Sequence, residues 1–377
     1  MIFPPNGCDF TFHLTAFFLF AGASATGIGI LLLLAISFRF KLKQLLEKSL
    51  VLWKKQVKDD QNLEDLINQY GSLAPKRYKY SDIKKITASF KDELGKGAHG
   101  RVKGNLPNGH HVAVKILNVS KGNGEEFMNE VISISRTSHV NIVTLVGFCL
   151  EDHKRALVYE FMPNGSLEKF VCGRSPCNSG HLDWKKLYHI GLGIAQGLEY
   201  LHCGCNTRIL HLDIKPHNIL LDDEFCPKIS DFGLAKLCKR KESVVSMIGA
   251  RGTIGYMAPE VFNRYIGNVS FKSDVYSFGM LILKMVGIRK NNNVQVTYSS
   301  EIYFSQWIYE CLETNNELEL QGGMMEEAIE ITRKMVLVGL WCIQIQPSQR
   351  PSMHKVVEML EGNVALTIPP KPFLSSP

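Results

Sequence analysis

His211-Leu212-Asp213-Ile214-Lys215-Pro216-His217-Asn218 sets an aspartate five residues ahead of an asparagine, with a lysine between them. Asp231-Phe232-Gly233 and Ala258-Pro259-Glu260 follow in that order. Carboxylates, an amide and an ammonium so arranged suit phosphoryl transfer, which asks a protein mainly to position a nucleotide with its metal ions and to neutralise developing charge. The upstream sequence supplies the remaining parts. Leu94 is followed by Gly95-Lys96-Gly97-Ala98-His99-Gly100-Arg101-Val102, a Gly-rich stretch whose missing side chains let backbone amides approach phosphate oxygens. Such glycine spacing also occurs in ordinary turns. Val112-Ala113-Val114-Lys115 is a β-prone run ending in a lysine, and a strand can hold that ammonium against the α- and β-phosphates. Glu130, in a helical stretch, would pair with Lys115 and lock it in place. Taken singly, Lys115 reads equally as a surface lysine and Glu130 as a solvent-facing helical glutamate; the ordered set is what joins them.

The coarse pattern agrees with one large domain. Short β-like runs (Val112 to Ile116, Ala156 to Tyr159) come first, then a charged helix starting near Gly124, then a longer helical section from Leu182 to about Leu360. Strands followed by helices predict an α+β architecture in two lobes. The tail, 363–377, holds Pro369, Pro370, Pro372 and Pro377 and is expected to be extended or disordered.

From about Tyr80 to Leu360 the chain resembles the eukaryotic protein kinases, and within them the plant receptor-like serine/threonine kinases of the leaf-rust-resistance group. The likeness to that group rests on Tyr80-Ser81-Asp82-Ile83-Lys84-Lys85, on Ser133 to Val143 and on Ile209 to Leu221. The resemblance implies a two-lobed protein kinase fold, with a small β-rich N-lobe over 78–159 and a larger helical C-lobe over 160–362. It implies ATP and Mg2+, with Mn2+ as an alternative, and protein substrates. Asp213 would orient the substrate hydroxyl and accept its proton, Lys215 would steady the γ-phosphate, and Asn218 and Asp231 would hold the metal ions. ATP would be bound by residues Leu94 to Val102, Lys115 and Glu130, and by the hinge from Glu160 to Met162, beside Tyr159 as gatekeeper. Asp274 would brace the catalytic loop, and Glu260 with Arg350 would form a buried ion pair. Lys215 and Thr253 resemble the serine/threonine rather than the tyrosine kinases.

Departures from the family pattern are informative. Leu212 replaces the arginine that usually precedes the catalytic aspartate and cannot pair with a phosphorylated activation loop, even if Ser243, Ser246 or Thr253 is modified. Val102-Lys103-Gly104 lacks the tyrosine of the usual Val-Tyr-Lys-Gly, so one residue is missing from a strand. Because side chains alternate with period two, that deletion turns the downstream positions to the opposite face unless a bulge or loop absorbs it. His99 stands where an aromatic tip is usual, and Lys284 where relatives have Glu. The strand deletion motivates a second reading, a membrane-tethered pseudokinase scaffold with weak or no phosphotransfer.

The N-terminal part points to a membrane. Leu14 to Phe38 contains no charged residue and is long enough to cross a ~30 Å hydrocarbon core, so a single transmembrane helix is expected over 13–38. Neither a cleaved leader nor a buried helix fits as well: no basic segment precedes the apolar run, which continues past Ala25 to Leu34. Residues 1–12 carry Asp9 and no Lys or Arg, whereas Arg39, Lys41, Lys43 and Lys48 open a basic juxtamembrane segment over 39–77. The positive-inside rule then leaves a short stub outside and the rest cytoplasmic, with the plasma membrane as the expected location. Ala23/Gly27 and Ala25/Gly29 would let two such helices approach closely, as in a homodimer or with a co-receptor.

Composition excludes other classes. With 45% hydrophobic and 21% charged residues among 377, the chain is neither disordered nor a small disulfide scaffold. Its net charge of +7 owes much to the juxtamembrane stretch. Basic residues interleaved with aromatics, as a nucleic-acid surface needs, are not visible.

Overall fold

The computed structural model describes residues 37–41, 43–44, 75–96, 100–118, 124–151, 154–171, 182–205, 207–238, 251–287, 326–362 and 366–371. The chain divides into two units, 1–69 and 70–377. In the first, residues 37–41 and 43–44 are helical, with Phe38 and Phe40 exposed. Among the described residues no helix is long and apolar enough to cross a membrane. Nearly all of the expected span over 13–38 lies outside them.

The second unit begins with a six-stranded sheet. Its strands are β1 (Lys76–Arg77), β2 (Glu93–Lys96), β3 (Gly100–Asn105), β4 (His111–Asn118), β5 (Leu145–Glu151) and β6 (Lys154–Glu160). In space they run β1-β5-β6-β4-β3-β2, antiparallel except for the β1–β5 pair. The alternation legible in Val112-Ala113-Val114-Lys115 separates two faces. Val112 and Val114 bury against helix α1 (Tyr80–Ile86) in a cluster with Tyr78, Ile83, Cys149 and Val158, while Ala113 and Lys115 face the opposite way. Gly147 of β5 is required here: a Cβ would stand 2.3 Å from the Lys76 carbonyl oxygen and 2.5 Å from the Tyr78 ring, so any side chain would push β1 off the sheet. Helix α2 (Gly124–Ile134) packs Phe127 edge-on against Phe148 of β5, ring centroids 6.4 Å apart, and so holds Glu130 at a fixed height over the sheet.

The larger, helical part follows β7 (Gly165–Ser166) and the short helix α3 (Glu168–Val171). Helix α4 (Trp184–Glu199) starts on Asp183, whose carboxylate accepts the Lys186 amide at 2.6 Å, an N-cap that satisfies one orphan donor. Strand β8 (Arg208–Leu210) pairs with β11 (Lys236–Cys238), and β9 (Ile219–Leu221) with β10 (Pro227–Ile229). After the short helix α5 (Pro259–Phe262), α6 (Phe271–Gly287) runs through the centre with Val275, Phe278, Leu281, Ile282 and Leu283 all fully buried. A helix buried along most of its length is a core element. Helix α7 (Glu326–Cys342) crosses it where Gly279 approaches Gly339; a Cβ on Gly279 would lie 2.9 Å from the Gly339 carbonyl oxygen and 2.6 Å from Cys342 Cβ. Helix α8 (Met353–Glu361) closes the unit, and part of the tail is held beyond it: the Trp341 indole donates to the Thr367 carbonyl at 3.0 Å and Gln344 to Pro370 at 3.2 Å.

One buried ion pair ties these helices together. Arg350 meets Glu260 in two parallel bonds of 2.7 and 2.8 Å, both side chains being fully buried. The guanidinium also donates to the carbonyls of Gln344, Lys272 and Ile345, and the Ser273 hydroxyl donates to the same carboxylate. Such a pair repays its desolvation only when each remaining donor and acceptor is occupied, and here they are. Arg350→Ala would leave Glu260 charged and alone in the core, so unfolding in denaturant should show a loss of about 3–5 kcal/mol.

Candidate active site

The backbone between β8 and β9 is held by one buried carboxylate. Asp274, in the first turn of α6, accepts the His211 amide at 2.9 Å, the Leu212 amide at 2.7 Å and His202 Nε2 at 3.0 Å. Leu212 sits at φ 62°, a left-handed conformation that costs a side-chain-bearing residue energy, and the Asp274 bond to its amide is one of the contacts that hold it there. Its side chain is buried with Leu210, Cys238 and Val269, an apolar nest in the place where the family pattern has an arginine. His211 stacks edge-on against Phe232 at 4.8 Å, donates from Nε2 to the Ser230 carbonyl at 3.1 Å, and accepts the Asp213 amide on Nδ1 at 3.3 Å.

Asp213 is thereby presented with its carboxylate surrounded by donors. The Thr253 hydroxyl donates to Oδ1 at 2.7 Å, and Lys215 Nζ donates to Oδ2 at 2.7 Å and to Thr253 Oγ1 at 2.8 Å. Asn218 Nδ2 donates to Oδ2 and to the Asp213 carbonyl, both at 2.9 Å, which leaves its Oδ1 as the acceptor end of the amide. The next segment is bonded to this one through Ser230, whose amide and hydroxyl both donate to the Asn218 carbonyl. Asp231 follows in a left-handed conformation, φ 67°, with its carboxylate directed at the sheet.

There it meets Lys115. The ammonium, 5% exposed, donates to Glu130 Oε2 at 2.8 Å and to Asp231 Oδ1 at 2.7 Å. Burial alone would lower the Lys115 pKa, but the two carboxylates outweigh it and hold it above the ordinary lysine value. Burial works the other way on Asp231, and Lys115, with Arg101 nearby, overcomes it to keep that carboxyl below the usual range. Both groups therefore stay charged at neutral pH. The phenol of Tyr159 donates to the other Glu130 oxygen, and burial together with the Glu130 charge keeps it protonated.

A cleft between the sheet and the helical part gathers Leu94, Arg101, Lys115, Glu130, Glu160, Met162 and Asp231 of the residues expected from the sequence. Asp213, Lys215 and Asn218 stand together beyond it in the loop after β8. Gly95, Lys96 and Gly100 take up β2 and the start of β3; Gly97, Ala98 and His99 lie outside the described residues, as do Ser243 and Ser246. Val102 behaves differently from its expected part in ATP binding. It pairs with Val114, is 3% exposed and belongs to the face turned away from the cleft, whereas Arg101 pairs with Lys115 on the cleft face. The ladder between β3 and β4 is unbroken from Gly100 to Asn105, and the irregularity falls in β2, between Glu93 and Gly95. The difference from expectation therefore falls on Arg101 and Val102 and not only on the positions after them, because an unbroken β3–β4 ladder fixes the face of every residue along β3.

Several residues of the cleft escaped the sequence reading. Ala113, Val143 and Leu220 are apolar lining, and Ala113 could have been found by stepping two residues back from Lys115. The Tyr159–Glu130 bond joins residues 29 positions apart and leaves no local signal. Lys284 lies on α6 with its ammonium 5.7 Å from the centre of the Tyr256 ring, in the loop that carries Thr253.

Comparison with known proteins agrees with this geometry. The family model described as protein tyrosine and serine/threonine kinase matches residues 88–360. Among curated proteins of Arabidopsis thaliana, leaf rust 10 disease-resistance locus receptor-like protein kinase-like 2.5 is 56% identical over 304 residues, covering 79% of this chain and 45% of that protein. PR5-like receptor kinase is 54% identical over 325 residues, 85% of this chain and 48% of that protein. Protein suppressor of NPR1-1 constitutive 4 is 55% identical over 303 residues, 79% of this chain and 27% of that protein. The chain therefore spans about half the length of these relatives or less. A family match over well more than half of the chain, on a β-sheet lobe joined to a helical lobe, establishes that the chain belongs to the protein tyrosine and serine/threonine kinase family, among relatives named as receptor-like kinases.

Proposed function

We propose that this chain is a membrane-anchored protein kinase that transfers the γ-phosphate of ATP to serine and threonine hydroxyls of proteins, in receptor-type signalling. The observation that carries the reading is the Asp213 carboxylate, held by Thr253, Lys215 and Asn218 beside a cleft whose Lys115 is kept charged by Glu130 and Asp231. Adenine would lie in the cleft against Ala113 and Leu220, with the Glu160 to Met162 backbone offering hydrogen bonds. Lys115 would take the α- and β-phosphates, and Glu130 keeps its ammonium from wandering. A substrate hydroxyl entering beside Thr253 would give its proton to an Asp213 oxygen as it attacks, and Lys215 would balance charge arising on the transferred group.

The donor set fits a divalent ion. An ion would be bound by Asp231 and Asn218 together with the nucleotide's own phosphates. That is the habit of Mg2+, which keeps waters and uses few protein ligands. When bound it neutralises phosphate charge.

Membrane anchoring rests on the uncharged run from Leu14 to Phe38 and the basic flank that follows it. The buried Leu212 supports activation without a phosphate-to-arginine switch. A scaffold with little phosphotransfer is the second reading, favoured by Arg101 standing 3.6 Å from Asp231, where it competes with a metal for that carboxylate.

The test is incorporation of labelled phosphate from Mg·ATP by the purified full chain, beside Asp213→Asn and Lys115→Met. The wild type should label itself or a generic protein on Ser and Thr, and each variant should fall by at least about 100-fold. Equal silence from three well-folded proteins would favour the scaffold. Treatment of the active protein with a phosphatase should leave most of the activity in place; its abolition would overturn the switch-free reading of Leu212.

A further inference from the structure

The turned face of β3 places a second cation in the cleft. Arg101 stands directly across from Lys115 in the β3–β4 ladder, so both side chains project to the same side of the sheet. Like charges directly opposite one another in a sheet are destabilising unless an anion lies between them. Asp231 is that anion: one oxygen accepts Lys115 at 2.7 Å and the other faces Arg101 at 3.6 Å. Lys103, the next residue on this face, is occupied elsewhere, its ammonium 4.7 Å from the centre of the Phe161 ring. Arg101 is therefore the cation of β3 at the end of the cleft where Asp231 and Lys115 meet, one residue after Gly100 of the Gly-rich stretch.

We propose that Arg101 is a second phosphate-binding cation, so that this cleft holds ATP without a divalent metal nearly as well as with one. The inference rests on the reading of the cleft as a nucleotide site. In a site with Lys115 alone, the Asp231 carboxylate would repel a metal-free triphosphate, and a divalent ion would be needed to stand between them. Here the guanidinium shields that carboxylate and brings donors of its own in a planar fork suited to phosphate. It also competes with a metal for Asp231, so adding metal gains less than it would otherwise. The one-residue shortening of the strand is the cause, because with the ordinary register Arg101 would face away and Val102 would face in.

Titration calorimetry of the full chain with ATP, in excess Mg2+ and in excess EDTA, tests this without reference to turnover. For the wild type the two dissociation constants should agree within about three-fold, and Arg101→Val should weaken binding in EDTA by about ten-fold while changing the Mg2+ value much less. Arg101→Lys, which keeps the charge and loses the fork, should fall between them. The Arg101 side chain is 42% exposed, so each variant should remain folded, as a cooperative thermal unfolding of the nucleotide-free protein run beside each titration would show. If EDTA abolishes wild-type binding, or if Arg101→Val shifts both constants equally or neither, the inference is overturned while the nucleotide site stands. If ATP binds in neither condition, the nucleotide reading itself falls.

Discussion

A lysine ammonium that is 5% exposed keeps its charge only if anions stand close to it, and Lys115 has two, drawn from different parts of the chain. Glu130 comes from a helix packed on the sheet, and Asp231 from the segment that follows β10. Strand, helix and loop must therefore be in place together, because leaving out either carboxylate would strand charge in a low-dielectric site. Tyr159 adds a donor to the far side of Glu130 and so fixes the helix against the sheet from a second strand. The cleft between the two lobes owes its shape to this one group of charges.

Within the helical lobe the same economy is repeated with backbone in place of ammonium. Asp274 collects the amides of His211 and Leu212, the two residues before Asp213, and Arg350 collects Glu260 and three carbonyls. Both acidic groups are fully buried. Each turns an irregular loop, which would otherwise leave polar groups without partners, into a rigid support for the residues that face the cleft. The left-handed Leu212 sits on such a support.

The expected membrane segment and the kinase domain are read from different signals. An uncharged run of membrane length and a one-sided flank of Lys and Arg need no tertiary structure to interpret, since lipid imposes length and charge directly. The kinase domain needs long-range contacts throughout.

By itself the sequence offered the chemical groups of the candidate site and their order, because Asp213, Lys215, Asn218, Asp231, Lys115 and Glu130 stand at spacings that phosphate chemistry makes recognisable. It also determined the two-face pattern of β4, since period-two alternation is a local property of an extended chain. What it left open was whether the missing residue after Val102 would be absorbed or would turn the strand. That choice depends on which ladder stays regular, a balance between β2–β3 and β3–β4 pairing settled by hydrogen bonds to the neighbouring strands and not by the residues of β3 alone. Only the tertiary structure decided that Arg101, and not Val102, faces the cleft, because a strand's own residues cannot say which of its two faces the rest of the molecule will cover.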